Sequence, residues 1–133
     1  MKCDLCETIN EEQSVIKKGK TSFCVIVKAP LKEGHVMILP VKHIENYSEL
    51  SEEESKEIFE LIEEMVNLLK SRFEEDVIIH INRGKHSSQN HIHIHLVPSK
   101  GQLRELVSEF EGIPKRVIIS KEEMRKIRDK ILK

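Results

Sequence analysis

Three histidines alternate with aliphatic residues in the segment HIHIHLV, residues 91–97. This alternation has the period of a β-strand, so we expect His91, His93 and His95 to share one face, about 7 Å apart from one to the next. The aliphatic residues between them then face the core and hold the strand rigid. An imidazole can attack phosphorus, and its pKa near ~6.5 lets a neighbouring imidazole act as acid or base. The pattern favours one reacting centre over a row of surface histidines or a metal-binding tract.

A second group of chemical interest is the C-x-x-C pair formed by Cys3 and Cys6. Alone, the pair could be a redox dithiol, half of a zinc site or a chance spacing. The chain has 3 cysteines, which cannot all pair, and a reducing cytosol favours metal binding or burial over a disulfide framework. Cys24 lies in an apolar run and has no partner by spacing, so we expect it in the core.

The size and charge of the chain limit the number of domains and the kinds of partner that can be expected. A length of 133 residues suits one compact core, so we expect a single domain over 1–133. With 22 basic and 23 acidic residues, no global field would draw the protein to nucleic acid or to a membrane. We expect neither partner. The chain has no apolar run that could serve as a signal peptide or a membrane span, which predicts a cytoplasmic protein.

The elements that must position these residues can be placed from hydrophobic period. Two β-branched runs, Ser22–Val27 and His35–Leu39, flank a turn-like segment and predict a hairpin. Ser51 followed by Glu54 is the signature of a capping box. Beyond it, apolar residues recur at three- and four-residue spacing as far as Phe73, which predicts one long amphipathic helix.

The second half of the chain continues the alternation of strands and helices. Val77–Ile81 and His91–Val97 are predicted as two strands joined by a polar turn. Leu103–Phe110 is predicted as a short helix and Val117–Ile119 as a possible strand. Ser120 with Glu123 caps a last helix. The fold class is therefore α+β.

At this point the sequence resembles a known family, because HIHIHLV fits the His-φ-His-φ-His-φ-φ pattern of the histidine triad superfamily. The segment GHVMILPVKHI, residues 34–44, is similar to a second block of that family. The resemblance covers roughly residues 1–100, which makes 101–133 a C-terminal extension. It implies a HIT-like fold: an antiparallel sheet of about five strands with one long amphipathic helix, usually paired into a homodimer.

The same resemblance implies an activity and its residues. The substrate would be a small-molecule nucleotide, cleaved at the α-phosphate. His93 would be the nucleophile and form a nucleotidyl-imidazole intermediate that water then attacks. His95 and His35 would contact the phosphate or the leaving group. Branches that transfer a nucleotide to a sugar phosphate have Gln where this chain has His95, so hydrolysis is favoured.

The resemblance also gives the cysteine pair a role. Several branches combine an N-terminal C-x-x-C with two histidines, which correspond here to His43 and His91. Cys3, Cys6, His43 and His91 would then form a closed tetrahedral set, typical of a structural zinc site.

Two departures from the family bear on the substrate. Val27 stands where nucleoside-binding relatives have Asp or Asn to hold the ribose hydroxyls, and an aliphatic side chain cannot make that contact. The segment NRGKHSSQN, residues 82–90, matches the family at Asn82 and Gly84 but lacks its longer phosphate loop. Asn82 with Ser87 or Ser88 would supply phosphate donors.

Three functions stay open on the sequence. One is a nucleotide hydrolase that acts on a nucleoside phosphoramidate, a dinucleoside polyphosphate or a related adduct. The second is a zinc-stabilised nucleotide-binding module with little turnover, and the third is a nucleotidyltransferase. The intact histidines favour the hydrolase.

Overall fold

A computed structural model of the protein describes residues 3–83 and 90–133. The chain divides into two compact units, residues 1–100 and 101–133. The first unit contains a short helix, a five-stranded sheet and a long helix, in agreement with the predicted α+β class. Its elements are α1 (Asp4–Glu7), β1 (Val15–Lys18), β2 (Ser22–Ile26), β3 (Val36–Pro40), α2 (Glu52–Phe73), β4 (Asp76–His80) and β5 (Ile94–Ser99), with 3-10 turns at Thr8–Asn10 and Tyr47–Glu49.

The sheet is antiparallel, and its strand order is β1-β2-β3-β5-β4. The predicted hairpin is confirmed, because β2 pairs with β3. Strand β5 lies between β3 and β4, with His95 opposite Met37 on one side and opposite His80 on the other. The third histidine of the motif is therefore fixed by two neighbouring strands.

Helix α2 packs its apolar stripe on the sheet. Ser51 and Glu54 form the predicted capping box, and the helix buries Ile58, Leu61 and Met65 in the same core as Cys24. The Oε1 atom of Glu57 accepts hydrogen bonds from the backbone N–H groups of 21 and 22 at 2.9 and 2.8 Å. The carboxylate thus ties the first half of the helix to the start of β2.

A glycine sets the approach to β3. Gly34 has a φ of 95°, which L side chains rarely adopt. A Cβ atom there would lie 2.8 Å from Pro98 Cγ and 2.9 Å from Phe73 Cε2. Only glycine lets the chain turn this tightly against both side chains and deliver His35 to the start of the strand.

Two strand predictions need correction. The strand predicted over His91–Val97 begins only at Ile94, because the preceding backbone pairs elsewhere: the N–H of Ile92 donates to Ile44 O at 2.8 Å. Val117–Ile119 is not a strand. The β-branched residues there have no strand to pair with, since the elements described in residues 101–133 are helices, and a single strand is not stable alone.

The second unit consists of two amphipathic helices, α3 (Leu103–Glu111) and α4 (Lys121–Leu132). Gln102 and Glu105 form a capping box at α3, and Gly112 ends that helix in the left-handed conformation. Ser120 accepts the backbone N–H of Glu123 and caps α4, as predicted. Within residues 3–83 and 90–133, no helix has the length and apolar character needed to cross a membrane.

Candidate active site and metal centre

The side chain of His93 contacts the backbone two residues earlier in the chain. Its Nδ1 atom lies 2.8 Å from the carbonyl oxygen of His91, and its side chain is 8% exposed. A carbonyl oxygen can only accept, so in the neutral ring Nδ1 carries the proton and Nε2 keeps a free electron pair. The Nε2 atom of neutral His93 could therefore act as a base or as a nucleophile.

A chain of hydrogen bonds sets the protonation of His35 and His95. The backbone N–H of Leu31 donates to His35 Nδ1 at 3.0 Å, so the proton of neutral His35 resides on Nε2. That Nε2–H donates to His95 Nδ1 at 2.8 Å. The proton of neutral His95 is thereby placed on its Nε2 atom, which becomes a hydrogen-bond donor for an anion.

A fourth histidine belongs to this cluster. His80, at the end of β4, stacks on His95 with ring centroids 4.6 Å apart and an interplanar angle of 9°. The ring of His93 meets His95 from another side, at 4.8 Å and 76°. The sequence reasoning missed His80, although a histidine that ends an aliphatic strand was a visible signal; only the strand register places it beside His95.

Burial favours the neutral form of His35, His80 and His95 near pH 7. Burial, with added repulsion from His93, His80 and His35, lowers the pKa of His95 to about 4. Burial, and then the neighbouring His80, lowers the pKa of His35. The pKa of His80 is likewise lowered by burial and by His93. At neutral pH the cluster can therefore donate and accept hydrogen bonds without carrying charge on these three rings.

An open cavity of about 650 Å³ adjoins the histidines, a volume in the range of small-molecule sites. His93 and His95 line it, whereas His35 and His80 are not among its described lining residues. Its apolar lining comes from Leu5, Ile26, Val27 and Met37, and its acidic lining from Asp4, Glu7 and Glu11. The cavity can therefore accept a molecule with an apolar ring and a group that reaches the two histidines.

The four residues predicted as metal ligands come together. The ligand atoms of Cys3, Cys6, His43 and His91 all lie within 4.8 Å of one another. The Sγ atom of Cys6 is 3.2 Å from His91 Nδ1 and 3.3 Å from His43 Nδ1, and Cys3 Sγ is 3.6 Å from His91 Nδ1. A tetrahedral zinc ion, with bonds of ~2.3 Å to sulfur and ~2.0 Å to nitrogen, separates such ligands by about 3.5 Å. The group could therefore hold a metal ion.

His91 and His43 each make a further contact through Nε2, the nitrogen that does not face the cysteines. His91 is fully buried, and its Nε2–H donates to Pro40 O at 3.0 Å. His43 Nε2 lies 3.2 Å from a carboxylate oxygen of Glu45. Both contacts leave Nδ1 free to bind a metal, as the outer partners of metal-bound histidines do.

The two cysteines differ in how readily they ionise. Burial raises the pKa of Cys3, but hydrogen bonds from Cys6 and from His43 outweigh it and lower that pKa below the ordinary value. Burial and the hydrogen bond to Cys3 raise the pKa of Cys6 to about 11. Cys3 is therefore the first thiolate of the pair, and a bound metal would displace the proton of Cys6.

The remaining predicted residues are placed as follows. Asn82 is exposed and is not among the described residues that line the cavity. Ser87 and Ser88 lie outside the described residues. Cys24 is fully buried, as predicted, and burial raises its pKa to about 12.

The three motif histidines do not serve one centre: His91 contacts the cysteines, whereas His93 and His95 line the cavity.

The fold and the histidine motif together define a protein of the histidine triad superfamily. Within it, a family described as proteins similar to the CwfJ C-terminal region matches residues 1–111, and the chain belongs to that family. The Cys3, Cys6, His43 and His91 cluster is consistent with a zinc-binding branch.

Relatives and solved structures agree with this assignment. The adenosine 5'-monophosphoramidase of Schizosaccharomyces pombe is 24% identical over an alignment of 133 positions, which covers 98% of this chain and 96% of that protein. A HIT family protein from Bacillus subtilis has a TM-score of 0.72 at 20% identity, covering 99% and 96% of the two chains. The Plasmodium falciparum diadenosine triphosphate hydrolase has a TM-score of 0.64 at 29% identity, covering 67% and 63%.

Proposed function

We propose that the protein is a nucleotide hydrolase that cleaves at the α-phosphate through a covalent nucleotidyl intermediate on His93. The observation that carries this proposal is the 2.8 Å contact between His93 Nδ1 and the carbonyl oxygen of His91. In the neutral ring, this contact leaves Nε2 unprotonated on a buried side chain at the wall of the cavity. The cavity of about 650 Å³ has room for a nucleotide beside His93.

In the first step, the electron pair of His93 Nε2 forms a bond to the α-phosphorus. The bond between phosphorus and the leaving group breaks, and the leaving group departs with that electron pair and takes a proton from water. The ring of His93 becomes positively charged, and the carbonyl oxygen of His91 stabilises that charge through Nδ1–H. The contact is stronger in the transition state than before it, so it accelerates the step.

In the second step, a water oxygen forms a bond to phosphorus as the bond to His93 Nε2 breaks. The water proton passes to solvent, neutral His93 is restored, and the product is a nucleoside monophosphate. His95 donates from Nε2 to the phosphate oxygens in both steps, where negative charge develops. His35 acts through His95, because its Nε2–H fixes the protonation of that ring.

The relatives and the charge of the cavity support one substrate class. The Schizosaccharomyces pombe relative is a monophosphoramidase and the Plasmodium falciparum structure is a diadenosine triphosphate hydrolase. In this chain, Asp4, Glu7 and Glu11 line the same cavity as His93, and Lys28 lines it too, paired with Glu11 at 3.0 Å, so the described lining keeps an excess of negative charge. Carboxylates repel a chain of phosphates more strongly than a single phosphate diester or amidate. A nucleoside phosphoramidate is therefore favoured over a dinucleoside polyphosphate.

Zinc belongs to this proposal as a structural ion. Two thiolates and two imidazoles complete a tetrahedron and leave no open position for substrate, so zinc would stabilise the fold without taking part in the reaction. Cys3 and Cys6 flank residues of α1 that line the cavity. The ion would thereby hold the N-terminal wall of the nucleotide site.

The proposal is tested with wild-type protein and the His93→Ala and His93→Gly variants. Each is incubated with adenosine and guanosine phosphoramidates, dinucleoside polyphosphates and UDP-sugars, with products separated by chromatography and adducts detected by intact mass. We expect monophosphate release that requires His93, and partial recovery of the His93→Gly variant by added imidazole. Undiminished hydrolysis by His93→Ala would exclude the proposed nucleophile.

Two alternatives give different outcomes in the same experiment. A zinc-stabilised nucleotide-binding module would bind nucleotides without product or adduct. Val27, which cannot hold the ribose hydroxyls as Asp or Asn would, favours weak or altered nucleotide binding. A nucleotidyltransferase would give a product only when an acceptor phosphate is added. The homodimer stays a prediction, which sedimentation of the purified protein would measure.

A further inference from the structure

His80 is a half-buried histidine that the proposed reaction does not use. It lies opposite His95 in the antiparallel pair of β4 and β5, so the two side chains share one face of the sheet. Their rings are 4.6 Å apart and nearly parallel, at 9°.

The hydrogen bond from His35 leaves one freedom to the ring of His95. The 2.8 Å contact at Nδ1 restrains that atom, but it still permits some rotation of the ring about the Cβ–Cγ bond, because a hydrogen bond tolerates moderate misalignment. The ring of His80 is stacked on one face of His95, where it would oppose this rotation. The contact with His35 thus bears on the tautomer of His95, and the stack with His80 bears on the plane of its ring.

Other roles for His80 lack support in the described structure. His80 is not among the described residues that line the cavity, and its ring makes no side-chain hydrogen bond with another described residue. The titratable groups around it are His35 at 6.4 Å, His95, and His93, whose charge affects it. Burial keeps the pKa of His80 low, so two neutral rings can stack without repulsion near pH 7.

We propose that His80 is a positioning residue that holds the imidazole plane of His95 so that its Nε2–H points at the phosphate. This inference rests on the proposed hydrolase function and deepens it. It explains why a fourth histidine lies in the cluster without reaching the cavity. Because His80 acts only through His95, its loss affects the rate of the chemical step more than substrate binding.

The test compares His80→Val, which removes the ring but suits a strand, with His80→Phe, which keeps an aromatic stack. Ile79→Val on the opposite face of β4 is the matched control, since Ile79 is 48% exposed. For His80→Val we expect kcat to fall about three- to tenfold at nearly unchanged KM, from the loss of one aromatic contact. His80→Phe should restore most of the rate. Wild-type kcat in His80→Val, or an equal loss in both variants, would overturn the proposal.

A measurement without substrate separates this inference from the hydrolase proposal. The ¹³C relaxation of the His95 ring C–H groups reports how far that ring moves. We expect an ordered His95 ring in wild type and His80→Phe, and a larger amplitude of ring motion in His80→Val. Unchanged His95 relaxation in His80→Val would refute the positioning role even if hydrolysis is found. If no substrate is hydrolysed, the relaxation of the ring still decides whether His80 orders His95.

Discussion

The Nε2 atom of His35 lies 2.8 Å from the Nδ1 atom of His95, although 60 residues separate them in the chain. The contact exists because β3 and β5 are neighbours in the sheet. Together with the Leu31 N–H at His35 Nδ1, it determines which nitrogen of each ring carries a proton. The donor offered to substrate by His95 therefore depends on a backbone group in the turn before β3.

The first prediction follows from this relay. His35→Ala should lower kcat roughly 10- to 100-fold, because His95 loses the partner of a buried nitrogen. His93→Ala should remove turnover to the uncatalysed level, because the nucleophile is gone. Steady-state kinetics on the best substrate measure both. A His35→Ala variant as inactive as His93→Ala would mean that His35 contacts the reacting phosphate directly.

The second prediction concerns the pH dependence of stability. Folded His95 has a pKa of about 4, whereas an unfolded histidine titrates near ~6.5. Between these values the unfolded state binds more protons, so the free energy of unfolding should rise with pH from about 4 to 6.5 and change little above. Urea unfolding across this range measures it. His95→Gln should reduce the slope, and the part that stays is expected from His35 and His80, whose pKa values burial also lowers. The same slope in both proteins would show that His95 does not contribute to it.

The third prediction concerns the metal. The purified protein should contain about one zinc per chain, and the double change Cys3→Ser with Cys6→Ser should remove it. Melting temperature should fall with the metal, because the ion links the N-terminal segment to His91. Metal analysis and thermal unfolding measure both. Cys24→Ala is the matched control, since it removes a buried thiol outside the cluster and should leave the zinc content unchanged.

The fourth prediction concerns nucleoside binding. Val27 lines the cavity and is half-buried, and a carboxylate there could accept the ribose hydroxyls. Val27→Asp should lower KM for a ribonucleotide substrate by about tenfold or more, because a charge-assisted hydrogen bond contributes about 1.5–3 kcal/mol. A 2',3'-dideoxy substrate should gain nothing. Equal gains on both substrates would place the ribose elsewhere.

The fifth prediction tests the turn before His35. Gly34→Ala should lower the free energy of unfolding by about 1–3 kcal/mol, because alanine is strained at a φ of 95° and its Cβ meets Pro98 and Phe73. Gly101→Ala is the control, since a Cβ there meets nothing within 4 Å. Chemical unfolding of both variants measures the difference. Equal stability of the two variants would indicate that the turn relaxes freely.

Much of the fold could be predicted from the sequence because its signals are local. The capping residues Ser51 and Glu54 and the apolar spacing beyond them set the start and the buried face of α2. Two β-branched runs around a turn predicted the β2–β3 hairpin, and the apolar run around Cys24 predicted its place in the core. The histidine motif and the cysteine pair indicated the superfamily and the metal cluster through resemblance, without any knowledge of distances.

Strand β1 and helix α1 were missed, because a four-residue element carries too little period to recognise.

Only the tertiary structure decided which histidines lie with the cysteines and which lie at the cavity. Alternation predicted one row, but the pairing of Ile92 N–H with Ile44 O takes His91 out of the strand and to the cysteines. The register of β4 against β5 brings His80 onto His95, and the order of strands brings His35 to the same ring. Sequence by itself determined which residues could do chemistry. Their partners depend on contacts across 35 to 88 residues of chain, such as Ser22 with Glu57 and Cys3 with His91, and no local pattern encodes such contacts.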